Sequence, residues 1–381
     1  MATPMIHLFS SLLLCSTFLC FFHCTLSLLD PEDEAGILVQ PDDVKMVQSN
    51  RDSRKICDFS VGKWVYDDSY PLYDSDCPYL SSVVTCQKNG RPDSDYQKWK
   101  WKPTSCTLPS RFDALRFLGR MRRKRIVLVG DSMMRNQWES LVCLVQGVIP
   151  IGRKRVTYNG PAMAFHAMDF ETSIEFFWAP LLVEVKKGSE NKRIVHLDLI
   201  EENARYWRGV DILVFDSAHW WTHSDQTSSW DYYMEGNNLI RNMSAMVAYE
   251  RGLSTWARWV DQNLDPLRTK VIFRSMSSRH NRENGWKCQN EKQPLPFLRQ
   301  VHVPEPLVVL EGVVKRMRFP VYVEDITRMT EVRRDGHPSV YMRVIGEDER
   351  EKQGKGLSSD CSHWCLPGVP DIWNEMLSAL L

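Results

Sequence analysis

Residues 125–146, RIVLVGDSMMRNQWESLVCLVQ, commit the chain to a strand that runs straight into a helix. The apolar run 126–129 fits a buried strand, and after Gly-Asp-Ser the apolar positions recur at helical spacing. The same alternation continues from residue 111 to the C-terminus. Strand-length apolar runs lie at 126–129, 174–178, 195–200, 212–215, 271–273 and 321–323. Helical patterns lie at 112–121, 133–146, 243–264 and 371–380, with Leu253, Trp256, Val260 and Leu264 on one face of the third. Strands alternating with helices predict an α/β domain with a mostly parallel sheet covered by helices.

The chain upstream is of another kind. Residues Met5 to Leu29 contain no Asp, Glu, Lys or Arg, a length sufficient to cross a bilayer. We read 1–29 as a signal anchor or a signal peptide, with a buried core helix as the plain alternative. No Lys or Arg precedes it, which weakens both membrane readings. The acidic flank Asp30, Glu32, Asp33 and Glu34 leaves an N-terminus-in orientation. Residues 30–55 are polar and aperiodic and read as a flexible stem. Residues 56–110 are rich in cysteine, aromatics and turn signals and read as a small disulfide-stapled region packed on the larger domain 111–381.

Of eleven cysteines, three (Cys15, Cys20, Cys24) fall in the apolar segment. The remaining eight are Cys57, Cys77, Cys86, Cys106, Cys143, Cys288, Cys361 and Cys365. An even number beyond a secretory segment implies disulfides formed in an oxidising lumen, but about 105 pairings are open. Cys361 and Cys365 flank His363, yet no second close Cys/His pair accompanies them, so no metal site is expected. Asn242-Met-Ser244 is a glycosylation sequon. Lys+Arg and Asp+Glu are equal at 48 each, and no basic run breaks the balance, which argues against a nucleic-acid partner. Fourteen Trp leave room for sugar stacking as well as core packing.

In a parallel sheet, sites form beyond the C-terminal strand ends. Four strands here end in polar residues: Gly130-Asp131-Ser132, Asp216-Ser217-Ala218-His219, Arg274-Ser275-Met276-Ser277 and Glu324-Asp325. Ser132 between strand and helix is either a helix cap or a nucleophile at the positive end of a helix. A nucleophile needs a base and the base an orienter. The C-terminal run SSDCSHWCLPGVPDIWNEML places Asp360 three positions before His363, with two residues between them. In a tight turn that carboxylate reaches Nδ1 of the imidazole and leaves Nε2 for Ser132. The plain alternative is a capping aspartate and a structural histidine. Cys361 and Cys365 are placed to staple this loop.

Gly-Asp-Ser early and Asp-x-x-His late resemble the SGNH, or GDSL-like, hydrolase plan, which implies a three-layer α/β/α sandwich. More closely, the chain resembles the plant trichome birefringence-like family from Cys57 to the C-terminus. The runs that carry the likeness are CDFSVGKWVYDDSYPLY, CQKNGRPDSDYQKWKWKP, VGDSMMRNQWESLVCL, HWWT, DGHPSVY and DCSHWCLPGVPDIWNE. The stem and single apolar segment resemble the powdery-mildew-resistance branch.

The resemblance implies an O-acetyltransferase of cell-wall polysaccharide (pectin, or hemicellulose such as xylan or mannan), a type II membrane protein of the Golgi lumen. Secretion to the wall after signal cleavage is the alternative. Ser132, His363 and Asp360 are the implied triad. No bound cofactor is implied, only an acetyl donor, acetyl-CoA or another. Gly130, Asp131, Arg135, Asn136, Asp216, His219, Trp220 and Trp221 are candidates for oxyanion or substrate contact, with a solvated helix position for Arg135 and core packing for Trp220 and Trp221 as equal alternatives. Many family members carry Asn where this chain has Asp216, and an ionised carboxylate cannot donate to an oxyanion. The expectation is that position 216 is not an oxyanion donor. An acetyl esterase with the same triad and a non-catalytic polysaccharide binder remain the competing readings.

Overall fold

The structure is a computed structural model that describes residues 57–222, 230–280, 288, 291–296, 303–342 and 359–381. The segments read at 1–29 and 30–55 lie outside these residues. Among the described residues no helix is long and apolar enough to cross a membrane.

The chain begins with an antiparallel ribbon, β1 (Gly62–Tyr66) and β2 (Trp99–Pro103). Helix α1 (Ala114–Arg120) precedes β3 (Arg125–Gly130), which passes without a loop into α2 (Ser132–Gln146). Strands β4 (Lys154–Asn159), β5 (Ala162–Ala167) and β6 (Thr172–Trp178) follow. Next come β7 (Glu184–Lys187), β8 (Arg193–His196), α3 (Glu201–Ala204) and β9 (Ile212–Phe215). Strands β10 (Tyr232–Glu235) and β11 (Asn238–Ile240) lead to the long helix α4 (Ala245–Asn263) and to β12 (Lys270–Arg274). Helix α5 (Glu305–Val314), β13 (Val321–Glu324), α6 (Thr327–Glu331) and α7 (Val369–Leu380) complete the order.

Seven strands form the central sheet in the order β13-β12-β9-β3-β6-β5-β4. The first five are mutually parallel, and β5 and β4 add antiparallel at one edge. Alternation along β3 sends Val127 and Val129 to one face and Ile126 and Leu128 to the other. The first face buries Leu253, Trp256 and Val260 of α4 and Leu310 of α5. The second buries Phe117 of α1, Trp138 and Leu141 of α2, and Leu377 of α7. The result is a three-layer α/β/α sandwich with a mixed sheet.

Two features depart from the sequence reading. Residues 195–200 do not extend the main sheet: β8 stops at His196 and belongs to a second sheet, β11-β10-β8-β7. Leu197 and Ile200 are still buried, so their apolar character marks core contact rather than sheet pairing. The edge strand β4 carries no apolar run and is largely exposed, and in its neighbour β5 only the short run Ala162–Phe165, mostly half-buried, marks a strand.

All eight cysteines outside the apolar segment are paired. Only Cys57–Cys106 closes within the N-terminal region. Cys77–Cys143 ties that region to α2, and Cys86–Cys365 ties it to the loop before α7. Cys361 bonds Cys288, so Cys361 and Cys365 anchor the His363 loop on two different segments. Cys86–Cys365 spans a sequence separation of 279 and so restricts the unfolded chain strongly. Replacing both by Ala should lower unfolding free energy by about 2–5 kcal/mol in urea titration under oxidising conditions. A change below about 1 kcal/mol would mean the non-covalent packing of the loop suffices.

Candidate active site

Strand β3 sits where the chain reverses its direction of winding, between β6 on one side and β9 on the other. Such a switch point opens a crevice beyond the strand's C-terminal end, and there the chain reads Gly130-Asp131-Ser132. Gly130 is required by proximity: a Cβ there would collide with the Asp216 side chain and backbone. Asp131, not Ser132, caps α2, its Oδ1 accepting the Met133 N–H at 2.8 Å. The cap is therefore filled by a neighbour, and Ser132, at the first helical position and half-buried, keeps its hydroxyl for other use.

That hydroxyl lies 2.7 Å from Nε2 of His363. Nδ1 of the same ring lies 2.6 Å from Oδ2 of Asp360. The other carboxylate oxygen accepts the backbone N–H groups of Ser362 at 2.9 Å and His363 at 3.0 Å. Asp360 thus closes a tight turn on its own segment while orienting the imidazole. Burial raises the Asp360 pKa, but the His363 bond and charge and the two N–H groups outweigh it and hold the carboxyl well below its usual range. Burial opposes charge on His363, but its bond to Asp360 and that carboxylate's charge prevail, and its pKa is raised. A raised imidazole pKa suits a base that must take a proton from a hydroxyl and later return it.

The loop is clamped from behind. Asn136 and the backbone of Trp364 exchange two hydrogen bonds, Nδ2 to the carbonyl at 3.1 Å and Oδ1 from the N–H at 2.9 Å. Trp364 itself is fully buried beside Met329, Ile372 and Trp373. Arg91 of the N-terminal region donates to the carbonyls of His337 at 3.0 Å and Asp335 at 2.7 Å. The His337 Nδ1 in turn bonds the His363 carbonyl at 2.7 Å.

Under the strand ends lies a buried polar cluster. Asp216 accepts from Arg274 through Oδ2 and from the Asp131 N–H at 3.4 Å through Oδ1. Arg274 also bonds Gln137 and lies over the Trp373 ring at 4.4 Å. Burial, reinforced by the Asp131 charge, pushes Asp216 up to about 6, leaving it ionised at neutral pH opposite Arg274. Both of its oxygens are acceptors, so Asp216 does not serve as an oxyanion donor. The side-chain carboxyl of Glu324, beside Arg274 in the sheet, has no hydrogen-bond partner among the described residues, and burial pushes it up to about 7.

Four expectations are corrected. Asn136 does not face a donor or acceptor, because it is buried and its amide is spent on Trp364. Trp221 is no sugar platform: it is 1% exposed and donates to Ser217 Oγ at 2.9 Å. Gly130 and Asp131 are buried supports rather than substrate contacts. His219 is buried close enough to Asp216 to favour its charge. Arg135 is exposed and paired with Glu139 at 2.9 Å. Trp220 is half-buried and meets Trp178 edge-on at 5.4 Å, and Trp178 pairs with Gly130 in the sheet. Trp178, Arg91, Arg274 and His280 went unassigned in the sequence. Arg274 alone had a signal, a charged residue at the end of an apolar run.

Residues 108–380 match the GDSL/SGNH-like acyl-esterase family found in Pmr5 and Cas1p, and residues 55–107 match the PMR5 N-terminal domain. The chain is 63% identical to protein trichome birefringence-like 36 of Arabidopsis thaliana over 92% of each chain. It is 41% identical to protein trichome birefringence-like 43 of the same plant, over 85% of this chain and 88% of that one. The plant's protein trichome birefringence is likewise 41% identical, over 87% of this chain but only 57% of its own length.

Replacing Asp216 by Asn should leave the Arg274 charge without its partner and lower stability by about 3 kcal/mol in urea denaturation, with no gain in turnover. A several-fold increase in turnover would show that an amide at 216 reaches the oxyanion.

Proposed function

The chain belongs to the trichome birefringence-like family, and from that premise we propose that it transfers acetyl groups to hydroxyls of a plant cell-wall polysaccharide. The observation that supports this most is the unbroken line from Ser132 Oγ to His363 Nε2 and from His363 Nδ1 to Asp360. His363 takes the Ser132 proton as Oγ attacks the donor's acetyl carbonyl. Collapse of the tetrahedral species expels the donor's leaving group, which takes that proton from His363. A sugar hydroxyl then enters, His363 removes its proton, and the alkoxide takes the acetyl group from Ser132. The returning proton restores the serine. Asp360 holds the tautomer and stabilises the transient imidazolium.

Developing negative charge needs a donor at the helix start. The Asp131 N–H is taken by Asp216, and the N–H groups of Met133 and Met134 by the Asp131 carboxylate. Ser132 N–H, in the first turn of α2, remains as the donor we assign to the oxyanion. No cofactor enters these steps beyond the acetyl donor, acetyl-CoA or another. The half-buried Trp178–Trp220 pair is the aromatic surface we assign to the acceptor sugar.

The oxidising compartment implied by four disulfides supports work in the secretory lumen. We place the protein in the Golgi as a type II membrane protein held by the segment at 1–29, with secretion to the cell wall after cleavage of that segment as the alternative. Asn242 is exposed, as a glycosylated residue must be.

The acyl-esterase description of the matching family favours a second reading, with water as acceptor. Purified protein incubated with acetylated and unacetylated pectin and xylan, with and without acetyl-CoA, separates the two. Acetyl gain on the polysaccharide is expected; net loss with no transfer would establish the esterase.

The pH dependence follows from His363. The base must be neutral to accept a proton, so activity should rise with pH through a value above the usual imidazole range near 6.5. Asp360→Asn removes the raising contact. It should move that limb to lower pH and cost about 10³–10⁴-fold in kcat. An unmoved limb would mean that His363 is not the titrating base.

A further inference from the structure

Behind the triad lies a second pair of histidines that the mechanism does not use. His337 Nδ1 is 2.7 Å from the His363 carbonyl. His337 Nε2 is 2.6 Å from His280 Nδ1, and His280 Nε2 is 3.0 Å from the Glu331 carbonyl. Both ends of this chain are carbonyl oxygens, which only accept. Three hydrogen bonds across four ring nitrogens therefore require three protons. Two neutral imidazoles supply two.

We propose that the His280–His337 pair carries one additional proton, and that His337 is a positioning residue which fixes the His363 backbone by donating Nδ1–H to its carbonyl. His280 then donates from both nitrogens, while His337 accepts at Nε2 and donates from Nδ1. A further proton would remove the acceptor between the rings. In accord with that, burial and the neighbouring His280 press His337 down to about 3.

The surroundings suit a single fixed charge. The His337 ring stacks on Trp364, centroids 4.2 Å apart at 27°, and His280 meets the same indole edge-on at 6.4 Å. The His280 backbone N–H donates to the Cys361 carbonyl at 3.0 Å, so His280 and His337 together hold the loop on both sides of Ser362. Among the described residues the charged groups nearby include Asp360 and His363, which act on His337 electrostatically, Arg91, and Arg333 paired with Asp335. Asp360 favours the charge; Arg91 and a protonated His363 oppose it. Arg333 and Asp335 largely cancel.

The positioning role rests on His363 serving as the base of the proposed reaction; the proton count does not. Ring-nitrogen NMR of the intact chain labelled with ¹⁵N-histidine, assigned with His280→Asn and His337→Asn, tests the count directly. Three protonated nitrogens across the pair are expected at about pH 6, where ordinary imidazoles titrate. Two would overturn the shared charge. Positioning is read by the rate at which a fluorophosphonate probe labels Ser132, which needs no knowledge of the natural substrate. His337→Phe removes the donor and should slow labelling about tenfold or more, as misplacement of a base does. His337→Asn keeps a donor at the Nδ1 position and should restore most of that rate. Equal rates for the Phe and Asn variants would overturn the positioning role. If the wild type labels Ser132 but acetylates no polysaccharide, the transferase reading fails and this one stands.

Discussion

The 2.7 Å bond between His363 Nε2 and Ser132 Oγ joins residues 231 apart in sequence. Neither is placed by the sheet alone. Ser132 is set by β3 and α2, but His363 rides on a loop of irregular backbone, the kind of segment that drifts unless it is tied down. Much of the buried polar structure ties it down. Asn136 reaches from the next turn of the helix that Ser132 begins to hold the backbone of Trp364. A shift of the loop relative to α2 would strain those two bonds together with the contact between His363 and Ser132.

The N-terminal region has its place in the same account. It is not a separate module stapled to itself. Two of its three disulfides leave it, one to α2 and one to the residue two after His363. Tyr73 and Ser140 both donate to Asp371, whose other oxygen accepts the Gly368 N–H at the start of α7. Burial raises Asp371 to about 6, and the three donors offset that cost at neutral pH. Helix α2, helix α7 and the N-terminal region thus share one carboxylate.

Much of this was legible in the sequence, for identifiable reasons. The core strands 126–129, 212–215 and 271–273 are buried on both faces and read as continuous apolar runs, as parallel strands do. The edge strand β4 is largely exposed and lacks that signature, and its neighbour β5 is mostly half-buried. Ser132, Asp360 and His363 were marked by local patterns, a strand-to-helix corner and a two-residue spacing within a turn. Asn136 and Trp221 were misread because their roles depend on partners that sequence order does not reveal. His280 and His337 showed no pattern, since they meet only when residues 57 apart pack against one indole. Disulfide connectivity was likewise a property of the fold, not of spacing.

The central claim is that Ser132 carries the acetyl group between donor and sugar. Rapid quench of the protein with acetyl donor in the absence of polysaccharide, followed by peptide mapping by mass spectrometry, tests it. The account predicts acetylation at Ser132 that disappears when polysaccharide is added and never forms in His363→Ala. Polysaccharide acetylation proceeding with Ser132 unmodified, or undiminished in Ser132→Ala, would contradict it.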